Sequence, residues 1–259
     1  MFMANLYNFI TNEQGSIVYA GEDSTNYGIV VGQSPSFERP TRKQQVYSIP
    51  GRNGSVVIPQ DAWEDVVRSY NVWIAEQMEE DSGGIVTGTL AERIDAFMAV
   101  LNSQKGYQRL EDNFEPDIYR LAYYSGGNEF TNNMIQYGES TLKFTCRPER
   151  FLKSGETAIT VTNGSTLVNP TKFIAKPLIH IEVASQTTIT VAIGDNTISA
   201  SVLDYINIDC ETMNAYRLTS ENKNGDISGN FPVIPTGSST VGITGTATLV
   251  TVTPRYFTI

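Results

Sequence analysis

The fold of this chain is limited most by short runs in which apolar and polar residues alternate, each bounded by turn-forming residues. Beyond about residue 158 these runs follow one another with almost no helical signal, at residues 179–183, 189–193, 206–210 and 249–253. Alternation with period two places the apolar side chains on one face of a strand. Turn-forming residues lie between the runs, at residues 163–164, 194–196 and 224–226. The second half of the chain therefore predicts an all-β sandwich of roughly a hundred residues.

The first half of the chain combines strands with one clear helix. Thr89 and Glu92 have the spacing of a capping box, and Gly106 stands where a helix would stop. The apolar stripe between them consists of Leu90, Ile94, Phe97, Met98 and Leu101. We expect this helix to pack on a sheet, so the fold class is α+β and mainly β. Strands are predicted at residues 27–31, 45–49, 107–110, 118–124 and 141–147, the last ended by Pro148.

A tight turn lies near residue 50. Pro50 fixes one backbone angle, while Gly51 and Gly54 accept positive φ. Asn53 followed by glycine is a strong hairpin signal, and Arg52 is at the tip. The segment predicts a rigid ledge that carries an exposed arginine, and not a pocket.

The polar loop before this turn, residues 33–43, carries Glu38, Arg39, Arg42 and Lys43. Such a loop is either a solvated connector or a contact arm. The sequence by itself favours the connector.

Length and composition indicate two domains. With 259 residues, 40% of them hydrophobic and 10% aromatic, the chain can bury two moderate cores. Composition shifts around residues 150–158, beyond which Thr, Ser, Val, Ile and Asn dominate. We predict domains at residues 1–152 and 153–259.

The net charge of −10 argues against nucleic acid as a bound partner. The residues up to 151 hold 12 Lys and Arg against 20 Asp and Glu. Affinity for nucleic acid comes largely from basic side chains that neutralise phosphates. We therefore expect no sequence-specific binding of nucleic acid.

Cysteine usage and hydropathy bear on the compartment. Cys146 and Cys210 fall in different halves of the chain, which predicts free, core-filling thiols formed in a reducing cytoplasm. The N-terminus lacks the pattern of a signal peptide, and no run of eighteen apolar residues occurs. We predict neither export nor contact with a membrane.

Residues for catalysis or metal binding are sparse. The single histidine, His180, is predicted to be solvated or edge-paired on the polar side of its strand. No phosphate loop, dinucleotide fingerprint or paired-cysteine metal motif occurs. The remaining carboxylates, an acidic run at residues 76–81 and the pair Asp209 and Glu211, are predicted to be exposed surface groups. The sequence therefore predicts no catalytic residue, metal site or cofactor, and not an enzyme.

Several motifs, taken in order along the chain, resemble the distal tail proteins of long-tailed phages (siphophages). In the first half these are Ile49-Pro50-Gly51-Arg52-Asn53-Gly54, residues 106–110 with Asp112, Tyr119-Arg120 and residues 138–151. In the second half they are Asn169-Pro170, Ala175-Lys176-Pro177, residues 208–211, Phe231-Pro232 and Pro235-Thr236-Gly237. The resemblance implies a belt domain followed by a galectin-like β-sandwich domain.

Residues 61–78 fit two patterns. The apolar residues from Trp63 to Met78 suit a helical stripe, and periodicity alone favours that helix. The resemblance instead implies a strand from about Tyr70 onward, which is our prediction. The acidic stretch at residues 76–84 departs from the family pattern.

The resemblance also implies a function. It predicts a structural protein of the virion tail tip, or baseplate, made in the host bacterial cytoplasm. Its belt domain would form a homo-hexameric ring through which DNA passes. The implied partners are the tail tube protein, the tail-tip hub with a tail-associated lysin or fibre protein, and a receptor-binding adsorption protein held on the ring. We predict that Pro50, Gly51, Arg52, Asn53 and Gly54 lie at a ring or tube contact.

Two alternatives stay open. The second domain could be a carbohydrate-binding module for host adhesion. The chain could also be another tail-tube structural protein built from a similar sheet.

Overall fold

The computed structural model describes residues 15–32, 35, 38–75, 88–126, 131–132, 137–218 and 221–259. The chain divides into two compact units: unit 1 is Met1–Arg150 with Ile259, and unit 2 is Phe151–Thr258. The acidic run at residues 76–81 lies outside the described residues. Over the described residues the fold is mainly β with one packed α-helix, which confirms the predicted fold class.

Ten strands begin in the described part of unit 1. They are β1 (Ile17–Tyr19), β2 (Glu22–Asp23), β3 (Ile29–Val31), β4 (Arg42–Ser48), β5 (Ser55–Trp63), β6 (Val66–Ala75), β7 (Gln108–Asp112), β8 (Ile118–Tyr124), β9 (Thr131–Asn132) and β10 (Tyr137–Leu152). Most of them form one antiparallel sheet in the order β2-β1-β7-β8-β10-β6-β3, and β9 pairs with β10. Strands β4 and β5 form a two-stranded sheet of their own.

Strand β6 decides between the two readings of residues 61–78. It pairs with β10 from Ala75 opposite Tyr137 to Val66 opposite Cys146. Alternate side chains, those of Tyr70, Val72 and Ile74, are fully buried. The strand prediction is confirmed up to Ala75, and the strand begins earlier than expected, at Val66. Every second side chain of the strand points into the core, so these apolar residues are buried without forming a helix.

Several predicted strand boundaries are wrong, and the end of β10 and the start of β3 are two examples. Strand β10 continues through Pro148 to Leu152, because its pairing with β6 stops at Cys146 and the missing N–H of Pro148 removes no hydrogen bond to β6. At the other boundary, residues Ser24–Tyr27 form a 3₁₀ turn, and the strand begins only at Ile29.

The helix α1 spans Leu90–Ser103 and begins as predicted. Thr89 and Glu92 form a reciprocal capping box, in which each side chain bonds the backbone N–H of the other. Phe97 and Leu101 are buried in the core of unit 1, and Leu90, Ile94 and Met98 pack against it. The predicted stripe therefore faces the sheet, while Gly106 lies beyond the helix end with φ of 70°.

Unit 2 is a β-sandwich. Its strands are β11 (Ile159–Thr160), β12 (Thr166–Asn169), β13 (Leu178–Glu182), β14 (Thr187–Ile193), β15 (Asn196–Val202), β16 (Tyr205–Asp209), β17 (Asn214–Arg217), β18 (Glu221–Asn222), β19 (Ile227–Gly229), β20 (Gly237–Thr244), β21 (Leu249–Thr253) and β22 (Phe257–Thr258). One sheet has the order β11-β21-β13-β16-β17-β18, and the other β12-β20-β14-β15-β19. Inward residues of both sheets share one apolar core, which confirms the predicted sandwich.

The core of unit 1 centres on Phe144 of β10. Its ring lies 5.1 Å from the Tyr19 ring, 5.9 Å from that of Tyr70 and 5.7 Å from that of Tyr124, measured between centroids. Both cysteines are free and buried, Cys146 in this core and Cys210 in that of unit 2, as predicted.

We expect Phe144→Ala to destabilise unit 1 by about 3–5 kcal/mol, because it leaves a cavity among three aromatic rings. Calorimetry should show a lower transition for unit 1 and an unchanged transition for unit 2, since the two cores are separate. Val67→Ala, on β6 at a side chain that is 43% exposed, is the control and should cost less than about 0.5 kcal/mol. An equal shift for both variants would contradict this view of the core.

Candidate functional site

The predicted contact residues Pro50 to Gly54 lie at the tip of the β4–β5 hairpin. The Arg52 N–H donates to the Ile49 carbonyl at 3.2 Å, and Gly51 has φ of 83°. Proline followed by a glycine with positive φ is typical of a type II turn. The exposed turn is confirmed, but the strands are joined by the whole segment 49–54 and not by a two-residue turn at Asn53.

The hairpin presents apolar side chains to solvent on both of its faces. Val46 lies opposite Val57, and Tyr47 lies opposite Val56 on the other face. Val46 is 56% exposed, Tyr47 52%, Val57 51% and Ile58 47%. No strand outside the pair bonds to it within the described residues. A lone two-stranded ribbon of this kind is marginally stable in water, and its open edges and apolar faces are suited to association.

A second cluster in unit 1 is a buried network of charges. Asp112 at the end of β7 accepts hydrogen bonds from Arg68 at 2.9 Å and from the Tyr70 hydroxyl at 2.7 Å. Glu115, three residues later, accepts from Arg120 and from Arg150 and lies 3.3 Å from Arg68. Two carboxylates from one segment therefore hold arginines from β6, β8 and β10.

Burial and charge shift the pKa values in this network. Burial would raise the pKa of Glu115, but the hydrogen bonds and charges of Arg120, Arg150 and Arg68 lower it below its ordinary value. Burial, followed by the Asp112 charge, raises the pKa of Tyr70 well above its ordinary value. Burial raises the pKa of Cys146 to about 11, so this thiol is inert as a nucleophile.

The network borders a small open cleft. Its residues include Arg39 and Pro40, the start of β6, and Arg147 and Arg150 of β10. The empty space in the cleft is about 390 Å³, a figure that includes open solvent at its mouth. Space of this size suits the end of a side chain better than a large ligand.

In unit 2, His180 lies within a polar cluster on one face of the sandwich. Its Nδ1 is 2.8 Å from Asn207 Oδ1, and its Nε2 is 3.0 Å from Glu182 Oε1. The Tyr205 ring is 5.6 Å away, and the Arg217 guanidinium lies 5.4 Å from that ring. The predicted edge pairing is wrong, because β13 lies between β16 and β21 and the imidazole is held by cross-strand and same-strand neighbours.

Of the pair predicted to be exposed surface groups, Glu211 is exposed as predicted, whereas Asp209 is buried, contrary to the prediction. Asp209 is 8% exposed and accepts from Arg255 through both carboxylate oxygens, at 2.7 and 3.2 Å. It also caps the following turn by accepting the N–H groups of Glu211 and Thr212. Asp209 is therefore a structural residue that ties the end of β16 to Arg255.

The described residues form neither a metal-binding cluster nor a helix that could cross a membrane. No group of three or more His, Cys, Asp or Glu side chains there is arranged to hold a metal ion. The described helix is also too short and too polar to cross a membrane.

Sequence reasoning missed the charge network and the apolar faces of the hairpin. Arg68, Asp112 and Arg150 are far apart in sequence, and no short motif joins them. The hairpin did carry a signal, since residues 56–58 are apolar and consecutive, which is unusual for an exposed strand.

Comparison with solved structures identifies the fold. The crystal structure of SPP1 Dit (gp 19.1), described as a paradigm of the hub adsorption apparatus in phages that infect Gram-positive bacteria, matches with a TM-score of 0.71. The match covers 95% of this chain and 100% of that chain, at 13% sequence identity. No family model and no curated protein sequence matches. At this identity the likeness establishes a Dit-like fold, which confirms the fold that the resemblance implied.

Asp209 should make unit 2 sensitive to acid. Burial would raise its pKa, but the hydrogen bonds from Arg255, Glu211 and Thr212 lower it below the ordinary value. Because the folded pKa is depressed, the stabilisation is present above pH ~4 and is lost as pH falls through the folded pKa. Asp209→Asn should cost about 1.5–3 kcal/mol at pH 7 and flatten the decline in stability below pH 5.

The control for this prediction is Asp204→Asn, which removes a carboxylate that is 60% exposed and 3.2 Å from Arg217. Surface pairs of this kind contribute about 0–1 kcal/mol. Denaturant unfolding of both variants between pH 3 and 7 measures the difference. Parallel pH profiles for wild type and Asp209→Asn would contradict the assignment.

Proposed function

We propose that this chain is a structural protein of a phage tail tip, in which unit 1 associates into a hexameric ring that joins the tail tube to the baseplate hub. The ring would let DNA pass and would serve as a platform for adsorption proteins. The Dit-like fold over 95% of the chain supports this class of protein. The two units correspond in this proposal to a belt domain and a galectin-like domain.

The observation that carries the proposal is the β4–β5 hairpin. Its apolar side chains have no cover within the described residues, and both of its outer edges lack a partner strand there. Burying about half of Val46, Tyr47, Val57 and Ile58 against a neighbour would contribute several kcal/mol at roughly 25 cal/mol per Å². A ring closes when one surface of each copy fits a different surface of the next.

The tip of the hairpin, residues 50–54, is the second part of the proposed contact surface. In this proposal Arg52 and its rigid turn contact the neighbouring subunit or the tail tube protein. The hub, with its lysin or fibre protein, would bind the side of the ring that faces away from the tail tube. The type II turn fixes the backbone at Arg52 before binding, so less backbone entropy is lost on association.

We expect Val46→Asp to raise the protein concentration needed for assembly at least tenfold, because a charge in the centre of the hairpin opposes burial. Tenfold corresponds to about 1.4 kcal/mol. Arg52→Ala should weaken assembly or tail attachment in the same direction. Mass photometry and negative-stain images of the purified full chain, alone and with neighbouring tail proteins, measure the ring.

The matched control is Val168→Asp on β12, where the valine is 59% exposed against 56% for Val46. It should assemble like wild type. Equal loss in both variants would remove the hairpin from the interface. A wild-type chain that forms tubes would support the tail-tube alternative, and one that stays monomeric beside its neighbours would overturn the ring.

A second candidate function is carbohydrate binding by unit 2, favoured by the polar cluster around His180. The face offers an aromatic ring, that of Tyr205, beside side chains that can donate and accept hydrogen bonds, with His180 28% and Glu182 46% exposed. Aromatic rings beside polar groups are suited to the two faces of a sugar.

If this second function is real, binding of cell-wall glycans by the full chain should fall at least tenfold in Tyr205→Ala. A glycan array and a cell-wall pull-down measure it. Tyr123→Ala, which removes an exposed tyrosine in unit 1, is the control. Absence of glycan binding by the wild type, or equal binding by both variants, would eliminate this function.

A further inference from the structure

The cleft in unit 1 holds more positive charge than its carboxylates balance. Its charged lining is Arg39, Arg68, Arg120, Arg147, Arg150 and Glu38. The carboxylates of the charge network lie behind this lining, where Asp112 pairs with Arg68 and Glu115 pairs with Arg120. Glu149 lies 3.4 Å from Arg147. Five arginines therefore face four carboxylates, in a chain whose overall charge is −10.

The imbalance is concentrated on the side of Arg150 and Arg39. Glu115 is shared by three guanidinium groups. The Arg150 Nε is buried and has no hydrogen-bond acceptor within the described residues. Arg39 is exposed and has no ion pair there. A buried guanidinium with an unfilled donor costs free energy, so the site is suited to one more anion.

The electrostatics of Arg150 agree with this geometry. Burial lowers its pKa, the Glu115 charge opposes that shift, and the charges of Arg120 and Arg39 lower the pKa further. A carboxylate placed between Arg39 and Arg150 would raise the pKa of Arg150 again and would accept charge-assisted hydrogen bonds from both guanidinium groups.

We propose that the arginine cleft accepts an Asp or Glu side chain from a second copy of this chain, which supplies the missing negative charge at the subunit contact. Charge complementarity favours this occupant, because the residues up to 151 hold 20 acidic against 12 basic side chains. The inference rests on the proposed ring and adds the chemistry of one of its contacts. The loop with Glu38 and Arg39 is then a contact arm, and not the connector that the sequence favours.

The test compares Arg39→Glu with Lys143→Glu in the full chain. Both residues are exposed in unit 1, and both substitutions change the charge by the same amount. Arg39→Glu should raise the concentration needed for assembly at least tenfold, whereas Lys143→Glu should stay within about twofold of wild type. Assembly of the wild type should also weaken with added salt more steeply than that of Arg39→Gln. Circular dichroism and the melting temperature confirm that each variant is folded.

The outcomes separate the inference from the proposed function. If the wild type assembles and Arg39→Glu assembles equally well, the cleft is not at the contact, although the ring stands. If Arg39→Glu forms rings but fails to bind a neighbouring tail protein, the occupant is that protein and not a second copy. If the wild type never assembles, alone or with its neighbours, both the ring and this inference are overturned.

A cross-link identifies the occupant directly. Arg39→Lys keeps the charge and introduces an amine that carbodiimide couples to a carboxylate in contact with it. In a mixture of isotope-labelled and unlabelled protein, the expected product joins a labelled and an unlabelled peptide through position 39 and an Asp or Glu. Products confined to one copy, such as a link to Glu38, would contradict the proposal.

Discussion

The arrangement of unit 1 depends on two carboxylates that hold three arginines from neighbouring strands. Asp112 is the last residue of β7 and Glu115 lies three residues later, while Arg68, Arg120 and Arg150 come from β6, β8 and β10. Removing these charges from water costs several kcal/mol per ion, and the cost is recovered only when the pairs are complete. The network therefore fixes how the strands meet, and it leaves one guanidinium without a full set of acceptors.

In the proposed ring, the hairpin and the arginine cleft prepare a surface for association in two different ways. The hairpin leaves apolar side chains such as Val46 and Tyr47 in water, so its driving force is burial, which has no direction. The cleft offers charge in a defined geometry, which selects a partner and its orientation. In the proposed ring, burial would supply affinity while complementary charge would set the register between copies. Unit 2, by contrast, encloses its own core.

Local patterns predicted the local structure well. The capping box at Thr89, the stripe ending at Leu101, the strand Ile118–Tyr124 and the turn at Pro50 all follow from interactions within a few residues. Predictions that required knowledge of neighbouring strands were less successful. Pro148 stays inside a strand beyond the point where the pairing of β10 with β6 ends, and neither fact is visible in the residues around it.

From the sequence alone came the mainly β class, the packed helix at Leu90–Ser103 and the exposed turn, because periodicity and turn chemistry are properties of short segments. Tertiary structure alone decided that Asp209 is paired with Arg255, that His180 lies in the interior of a sheet, and that arginines distant in sequence share two carboxylates. These contacts join residues tens of positions apart. Only the folded chain determines which polar side chains are buried next to each other, and buried polar side chains must be paired because an unpaired one costs free energy.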